Sequence, residues 1–273
     1  MNNEAWDISI EHLNGGYEGR LVLRDFSAFL PAGTITTVLG ESGCGKTTLL
    51  RLLLGLNRPQ SGRILFGGRD VCAMSEAQFR KLRRRFGVLF QDGALVSSLT
   101  LAENVALPLV EHTKLPHKVL REAALRTLDL VGLGKFADYY PGELSGGMRK
   151  RAGLARAIVT EPPVLFCDEP TSGLDPITAA QMDQLLLDMK ACYPQMTIVV
   201  VTHDLGSVDH IAEHVLVLKS GQAAFSGSRE ELYAASDPYL RRFLDRKYEE
   251  SRRMAAPPLD SSVRSALAAW LDD

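Results

Sequence analysis

The chain has 273 residues, 45% of them hydrophobic and 23% charged, with a formal net charge of -2 at neutral pH. That length is ample for a large buried core, and the composition excludes a disordered chain, which combines low hydrophobicity with high net charge. The charge also argues against a nucleic-acid partner, which would require a basic excess.

Met1 to Ile10 carries Glu4 and Asp7 and no apolar run, so it does not read as a secretory signal. No stretch approaches the roughly 20 apolar residues of a membrane-spanning helix, so a membrane role is expected to come through a partner. Cys44, Cys72, Cys167 and Cys192 form no CxxC pair and fit no zinc spacing. They are expected to be small buried hydrophobes in a reducing compartment.

In chain order, Ile8 and Ile10, then Leu21 to Leu30, predict short strands with alternating apolar residues. Thr34 to Leu39 predicts a compact β-branched strand, followed by a glycine loop and a helix from Lys46 to Leu54. Ile64 to Phe66 and Phe86 to Phe90 predict further strands, with a basic helix from Ser75 to Arg85 between them. From Thr100 to about Thr160 the pattern is helical, clearest over Val119 to Leu130, and broken by Gly132, Gly134 and Pro141-Gly142. Strands return at Val164 to Cys167, Thr197 to Val201 and Val215 to Leu218, the first two joined by a helix from Pro176 to Met189. Alternating strands and helices imply an α/β fold with a parallel sheet covered on both faces. After Tyr233 the tail is basic and polar, and Ser261 to Leu271 offers one amphipathic set of Val263, Leu267, Trp270 and Leu271. Arg80 to Arg85 fits either a solvated helix face or a patch for lipid headgroups, and the solvated face is the simpler reading.

Gly40-Glu41-Ser42-Gly43-Cys44-Gly45-Lys46-Thr47 matches GxxxxGK[ST], with Thr48 following. Glycines let successive backbone N–H groups turn toward phosphate oxygens, and the helix that follows adds its positive N-terminal end. The lysine places a charge on the β- and γ-phosphates, and the Thr47 hydroxyl suits Mg²⁺. A chance match is expected in roughly one chain of this length in a hundred. Here the match also follows a β-branched strand and opens a helix, as the motif requires. Asp168 and Glu169 end an apolar strand, where acids are exposed to ligand at the sheet edge. Asp168 can hold Mg²⁺ and Glu169 can accept a proton from an attacking water. Ser145-Gly146-Gly147 precedes a basic helix. It fits a second phosphate-receiving loop, with a serine N-cap on a basic surface helix as the plainer alternative. One domain does not need two such loops for one nucleotide, which suggests that the second serves a nucleotide held by another copy.

In this order the motifs strongly resemble the ABC ATPase family, over about residues 6 to 235. The resemblance implies a P-loop NTPase with a RecA-like core and parallel sheet, an antiparallel β subdomain and a helical signature subdomain at about residues 92 to 160. The nucleotide-binding domain would span residues 1 to 236, and residues 237 to 273 would form an extension with a partner-docking helix. It makes Ser145, Gly146 and Gly147 the signature loop, Gln91 the glutamine that senses Mg²⁺ and water, and Asp175 the end of the loop at a dimer seam. It also makes His203 the histidine on the γ-phosphate and Tyr17 the aromatic on adenine. ATP and Mg²⁺ are the implied cofactors, with Lys46, Glu169 and His203 catalytic. The family's general signature has Gln where this chain has Met148, a position taken to flank the nucleotide. Phe90 to Leu95, Pro108 to Thr113, Leu144 to Arg151 and Thr171 to Thr178 resemble the ATPase of Mla/Mce-type lipid transporters. That similarity implies a second copy, an integral-membrane permease, an Mce-domain lipid-binding protein and a STAS-like adaptor as partners, at the cytoplasmic face of the inner membrane. Two alternatives are another cargo, such as an amino acid, metal or drug, and a non-transport ABC protein. The second is disfavoured by the single ATPase domain and the lack of a long heptad run.

Overall fold

A computed structural model of the chain describes residues 5–17, 19–245, 260, 262–264 and 270. These fall into two compact units, residues 1–234 and 235–273.

In the first unit, β1 (Ile8–Tyr17) and β2 (Arg20–Leu30) form an antiparallel pair, and β3 (Ile35–Gly40) leads into α1 (Lys46–Leu53). β4 (Ser61–Phe66), β5 (Arg69–Asp70), α2 (Glu76–Arg83) and β6 (Phe86–Leu89) follow. Next come α3 (Leu101–His112), α4 (His117–Leu130), α5 (Gly146–Ile158) and β7 (Val164–Asp168). The unit closes with α6 (Pro176–Cys192), β8 (Thr197–Val201), α7 (Leu205–Ile211), β9 (His214–Lys219), β10 (Gln222–Ser228) and α8 (Arg229–Ala234). In the second unit, α9 (Pro238–Leu244) is capped by Asp237, whose carboxylate accepts from the Tyr239 and Leu240 N–H groups. The amphipathic set expected near the C-terminus includes Leu267 and Leu271, which lie outside the described residues.

The central sheet has the order β10-β9-β3-β8-β7-β6, parallel except for β10. A second, antiparallel sheet has the order β2-β1-β4-β5. The period of two in a strand sorts the central side chains onto two faces. Ile198 and Val200 of β8, with Leu165 and Cys167 of β7, join α3, α4, α5 and α6 in one core. Val199 and Val201, with Val164 and Phe166, join α1 and the antiparallel sheet in the other. One face is thus covered by helices, and the other is shared by a helix and a sheet.

Differences from the sequence expectations are local. β1 runs on to Tyr17 because β2 and β4 pair along both its edges, with register shifts that absorb Gly15 and Gly16. α7 and β10 were not expected from their short, weakly apolar sequences. Cys44 and Cys167 are buried, but Cys72 and Cys192 are exposed, which corrects the expectation of four buried thiols. Helix starts follow capping chemistry. Ser75 with Gln78 and Thr100 with Glu103 form reciprocal capping boxes.

Phe66, Phe86 and Phe166 meet across the two sheets, with ring centroids 4.7–6.3 Å apart. Phe166 is fully buried. Phe166→Ala is expected to cost about 3–5 kcal/mol in chemical denaturation. Ile177→Ala, at an exposed position of α6, is expected to stay within about 0.5 kcal/mol of the parent.

Candidate functional site

Strand register builds the site. Val38 of β3 pairs with Val201 of β8, Asp168 of β7 with the same Val201, and Leu89 of β6 with Cys167. Hydrogen-bonded strands are spaced by about 4.8 Å. The chain segments leaving β3, β8, β7 and β6 therefore emerge side by side. They carry Gly40 to Thr47, Thr202-His203, Asp168-Glu169 and Gln91.

β3 is buried along its whole length, and the chain turns sharply at its end. Gly40 has φ 152°, and a Cβ there would lie 2.5 Å from both Cys44 Sγ and the Leu218 carbonyl oxygen. Only glycine fits this position. Burial of Cys44 pushes its thiol up, partly offset by Lys46. The Lys46 ammonium donates to the carbonyls of Gly40 (2.6 Å) and Glu41 (3.2 Å), folded back along the loop. α1 begins with no side-chain cap and no acid in its first turn. Its first N–H groups are thus left without an intrahelical or capping acceptor, an arrangement suited to an anion. A cleft of about 610 Å³ opens over this loop, lined by Tyr17, Gly43 to Thr48, Arg20, Arg24 and Arg51 among others. Tyr17 is about half exposed there. Four cations, a glycine cradle and an aromatic face fit a nucleoside triphosphate.

The acids sit at the tip of β7. Burial, and then the neighbouring Glu169 charge, push the Asp168 carboxyl up, with Lys46 and Arg51 pulling the other way. A hard divalent cation would relieve that penalty, and the Asp168 carboxylate with the Thr47 hydroxyl is an oxygen donor set suited to Mg²⁺. Glu169 has φ 49°, a left-handed conformation uncommon outside glycine. It is held there because its N–H donates to Val201 O (2.9 Å) and its carbonyl accepts from Ser172 N–H (3.2 Å). Its carboxylate meets His203, whose Nδ1 lies 2.9 Å from Oε1 and 2.8 Å from Oε2. The imidazole is otherwise largely exposed, while the Glu169 side chain is mostly buried.

Of the expected site residues, Tyr17 and Gly43 to Thr48 line the cleft, whereas Gly40 to Ser42, Asp168, Glu169 and His203, and also Gln91, Ser145, Gly146, Gly147 and Asp175, do not. Gln91 is exposed one residue past Phe90 at the sheet edge. The Ser145 hydroxyl caps α5 by accepting from Met148 N–H at 3.2 Å. Its own hydrogen remains available to a phosphate. Gly146 is exposed, whereas a Cβ on Gly147 would lie 2.6 Å from Thr178 Cγ2, so the loop packs on the start of α6. Asp175 caps α6: Oδ1 accepts from the Ile177 and Thr178 N–H groups, and Oδ2 from the Thr178 hydroxyl at 2.6 Å. Both its oxygens have partners within its own turn. Met148 is half-buried and packs against the larger core.

Two residues that the sequence did not single out tie these segments together. Lys150 of α5 is buried and donates to the carbonyls of Glu169 (3.2 Å) and Ser172 (2.5 Å). Burial pushes its ammonium below the ordinary lysine range. Arg156, also on α5, donates to the carbonyls of Ala94 (2.7 Å) and Gly93 (2.8 Å) in the loop after Gln91. Nothing local in the sequence marks their targets, and only tertiary contact reveals them.

Comparison with known proteins agrees with this architecture. The ABC transporter family model matches residues 23–172. The chain is 41% identical over 238 residues to "Probable ribonucleotide transport ATP-binding protein mkl" of Mycobacterium leprae, covering 87% of this chain and 68% of that protein. Against the Mycobacterium tuberculosis protein of the same name the share is 66%, so the match spans about two thirds of these relatives. It is 43% identical over 226 residues to "Intermembrane phospholipid transport system ATP-binding protein MlaF" of Escherichia coli K12, covering 83% of this chain and 84% of that protein. Among solved structures, cbiO1 of Clostridium perfringens, described as part of an ABC transporter complex, superposes with TM-score 0.78 at 32% identity, covering 88% of this chain and 96% of that one. The dimeric post-hydrolysis ATP-binding cassette MJ0796 with ADP and Pi gives 0.72 at 29%, covering 81% and 98%. With its glycine cradle, paired carboxylate and histidine, and two-sheet core, the chain is a member of the ABC transporter family, in the form of its ATP-binding cassette.

Proposed function

We propose that this chain is the ATP-hydrolysing subunit of a lipid transporter and that two copies close head to tail over two nucleotides. One observation carries the dimer: the Ser145–Gly147 loop opens α5 with Ser145 and Gly146 exposed and the Ser145 hydroxyl hydrogen available, a second anion-receiving helix start besides the one at Lys46. A second copy would supply that loop. The dimeric cassettes among the structural relatives support the same arrangement.

In this reading the triphosphate lies along Gly40 to Thr48, with Lys46 on the β- and γ-phosphates and Tyr17 against the adenine. Thr47, Asp168 and Gln91 would hold Mg²⁺, which would neutralise phosphate charge as the reaction proceeds. Glu169 takes a proton from water. The water oxygen attacks the γ-phosphorus, and the bond from that phosphorus to the β–γ bridging oxygen breaks, leaving ADP and phosphate. His203 holds the γ-phosphate, exchanging its contact with Glu169 for one with the nucleotide. Asp175 would meet the second copy at the seam. The domain organisation follows: residues 1 to 236 form the nucleotide-binding domain, with the helical part at about 92 to 160, and residues 237 to 273 form an extension.

No helix among the described residues is long and apolar enough to cross a membrane. Membrane crossing is assigned to a separate permease chain. A groove of about 450 Å³ at the β6 edge of the sheet suits one of its helices. Phe86, Val88, Phe90, Leu107 and Pro108 line it, and Phe90 is 40% exposed. Phe90 and Ala94 flank Gln91, so movement at the nucleotide would reach this groove through the loop that Arg156 holds. The phospholipid cargo, an Mce-domain protein, a STAS-like adaptor and a place at the inner membrane rest on similarity to MlaF. The mycobacterial relatives carry the name of a ribonucleotide transport protein, which favours a nucleotide as the second cargo reading.

Glu169→Gln is expected to bind ATP while turnover falls by about 10²–10⁴-fold. Near-normal phosphate release by the purified variant would remove Glu169 from its role. Affinity capture of the chain from solubilised membranes is expected to bring down a multi-span permease with bound phospholipid. Phe90→Asp is expected to lose that permease while retaining ATP binding. Capture without any multi-span protein contradicts the transporter reading, and capture with nucleotide in place of lipid favours the second cargo.

A further inference from the structure

The basic run Arg80 to Arg85 has no part in the nucleotide site, yet the fold organises it. α2 carries it as far as Arg83, with Arg84 and Arg85 just past the helix end, and only Leu82 of that helix is buried. Between α2 and β5 lies a pocket of about 300 Å³ lined by Arg69, Met74, Gln78, Lys81, Leu82 and Arg85. Three of these residues are cations and none is an acid. The acids beside the pocket are engaged elsewhere. Glu76 pairs with Arg83 (2.7 Å) and Arg58 (3.5 Å), and Asp70 Oδ1 accepts from the Cys72 N–H (2.9 Å).

Two of the cations are held in place by Trp6. Arg85 lies 4.8 Å and Arg69 5.3 Å from the Trp6 ring centroid. The indole is buried, and the Trp6 carbonyl accepts from the Thr197 hydroxyl at 2.6 Å, so the ring is a fixed base. Stacking of this kind contributes on the order of 1 kcal/mol and restricts two otherwise mobile side chains. Arg69 and Arg85 also line the one pocket, where an anion would offset their like charges. Planar guanidinium groups match phosphate oxygens in paired contacts, Lys81 adds a point charge, and the Gln78 amide adds a neutral donor.

We propose that this pocket is a binding site for a phosphate group, presented by the phosphodiester of an anionic lipid headgroup. The source rests on the transporter reading. Arg83 and Arg84, from the same basic run, line the groove assigned to the permease, which sets the pocket beside the membrane-facing side. The anion chemistry itself rests only on the cation cluster.

The test uses the purified full chain without nucleotide or permease, so its outcome is independent of the ATPase and capture experiments. Co-sedimentation is measured with phosphatidylcholine vesicles and with vesicles containing phosphatidylglycerol, at about 0.1 M salt, where screening leaves only close contacts effective. Lys81→Gln/Arg85→Gln is compared with Lys114→Gln/Lys118→Gln, which removes the same charge from exposed positions elsewhere. Binding to the anionic vesicles is expected to weaken about fivefold per pocket charge, hence about 25-fold in the pocket variant, and little in the control. Arg69→Gln, on a different element, is expected to lose about fivefold, which separates loss of the site from damage to α2. Inorganic phosphate that binds the chain in a pocket-dependent way without vesicle binding supports the anion site and makes free phosphate its ligand. An equal loss in the control pair, or a site that takes poly-glutamate but neither phosphate nor anionic vesicles, overturns the proposal.

Discussion

Parallel strands in fixed register hold the candidate site together. β3, β8, β7 and β6 are neighbours in one ladder, so the residues that follow each strand must emerge in a row. A slip of one residue in β7 would exchange its two faces, sending Phe166 from one core to the other and turning the acids at its tip. Register is protected from such a slip by the alternation of the cores: Val164 and Phe166 on one side, Leu165 and Cys167 on the other, all fully buried. Core packing thus specifies the spacing of groups whose chemistry is entirely polar.

On this frame the chain keeps several polar groups available. α1 starts without a cap, whereas α2, α3, α5 and α6 all have one. Glu169 occupies a left-handed conformation, of the kind that costs about 1–3 kcal/mol, next to a carboxylate whose ionisation burial already opposes. Lys150 offsets part of that cost by fixing the Glu169 and Ser172 carbonyls. Because Lys150 belongs to the helix that Ser145 caps, the loop proposed to serve a second copy's nucleotide and the carboxylate proposed to act on its own are joined by one side chain.

Much of this was legible in sequence. The glycine loop, the acid pair and the strand patterns are local signals, since each depends on residues within about ten positions. The antiparallel extent of β1 depends in part on β4, far along the chain, and β10 forms a hairpin with its neighbour β9; in both, the residues themselves carry little apolar pattern. The sequence already offered a cap at Ser145, and the one at Asp175 was within reach, because Ser and Asp before a helix start are the usual caps. Met148 could not be oriented from sequence, because position in a motif says nothing about which way a side chain turns. Its helix faces the core there. Lys150 and Arg156 were hidden for a related reason. A charged helix residue gives no local sign of the backbone carbonyls that the fold brings to it.

Whether two copies share each nucleotide is the point on which the functional account rests. Lys46→Ala and Ser145→Arg chains, each assayed alone and then mixed, address it most directly through phosphate release. The account predicts near-zero turnover for either variant alone and partial recovery on mixing, from the one site per mixed pair that keeps both an intact Lys46 and an intact Ser145. Mixtures as inactive as their parents, or normal turnover by either variant alone in dilute solution, would contradict it.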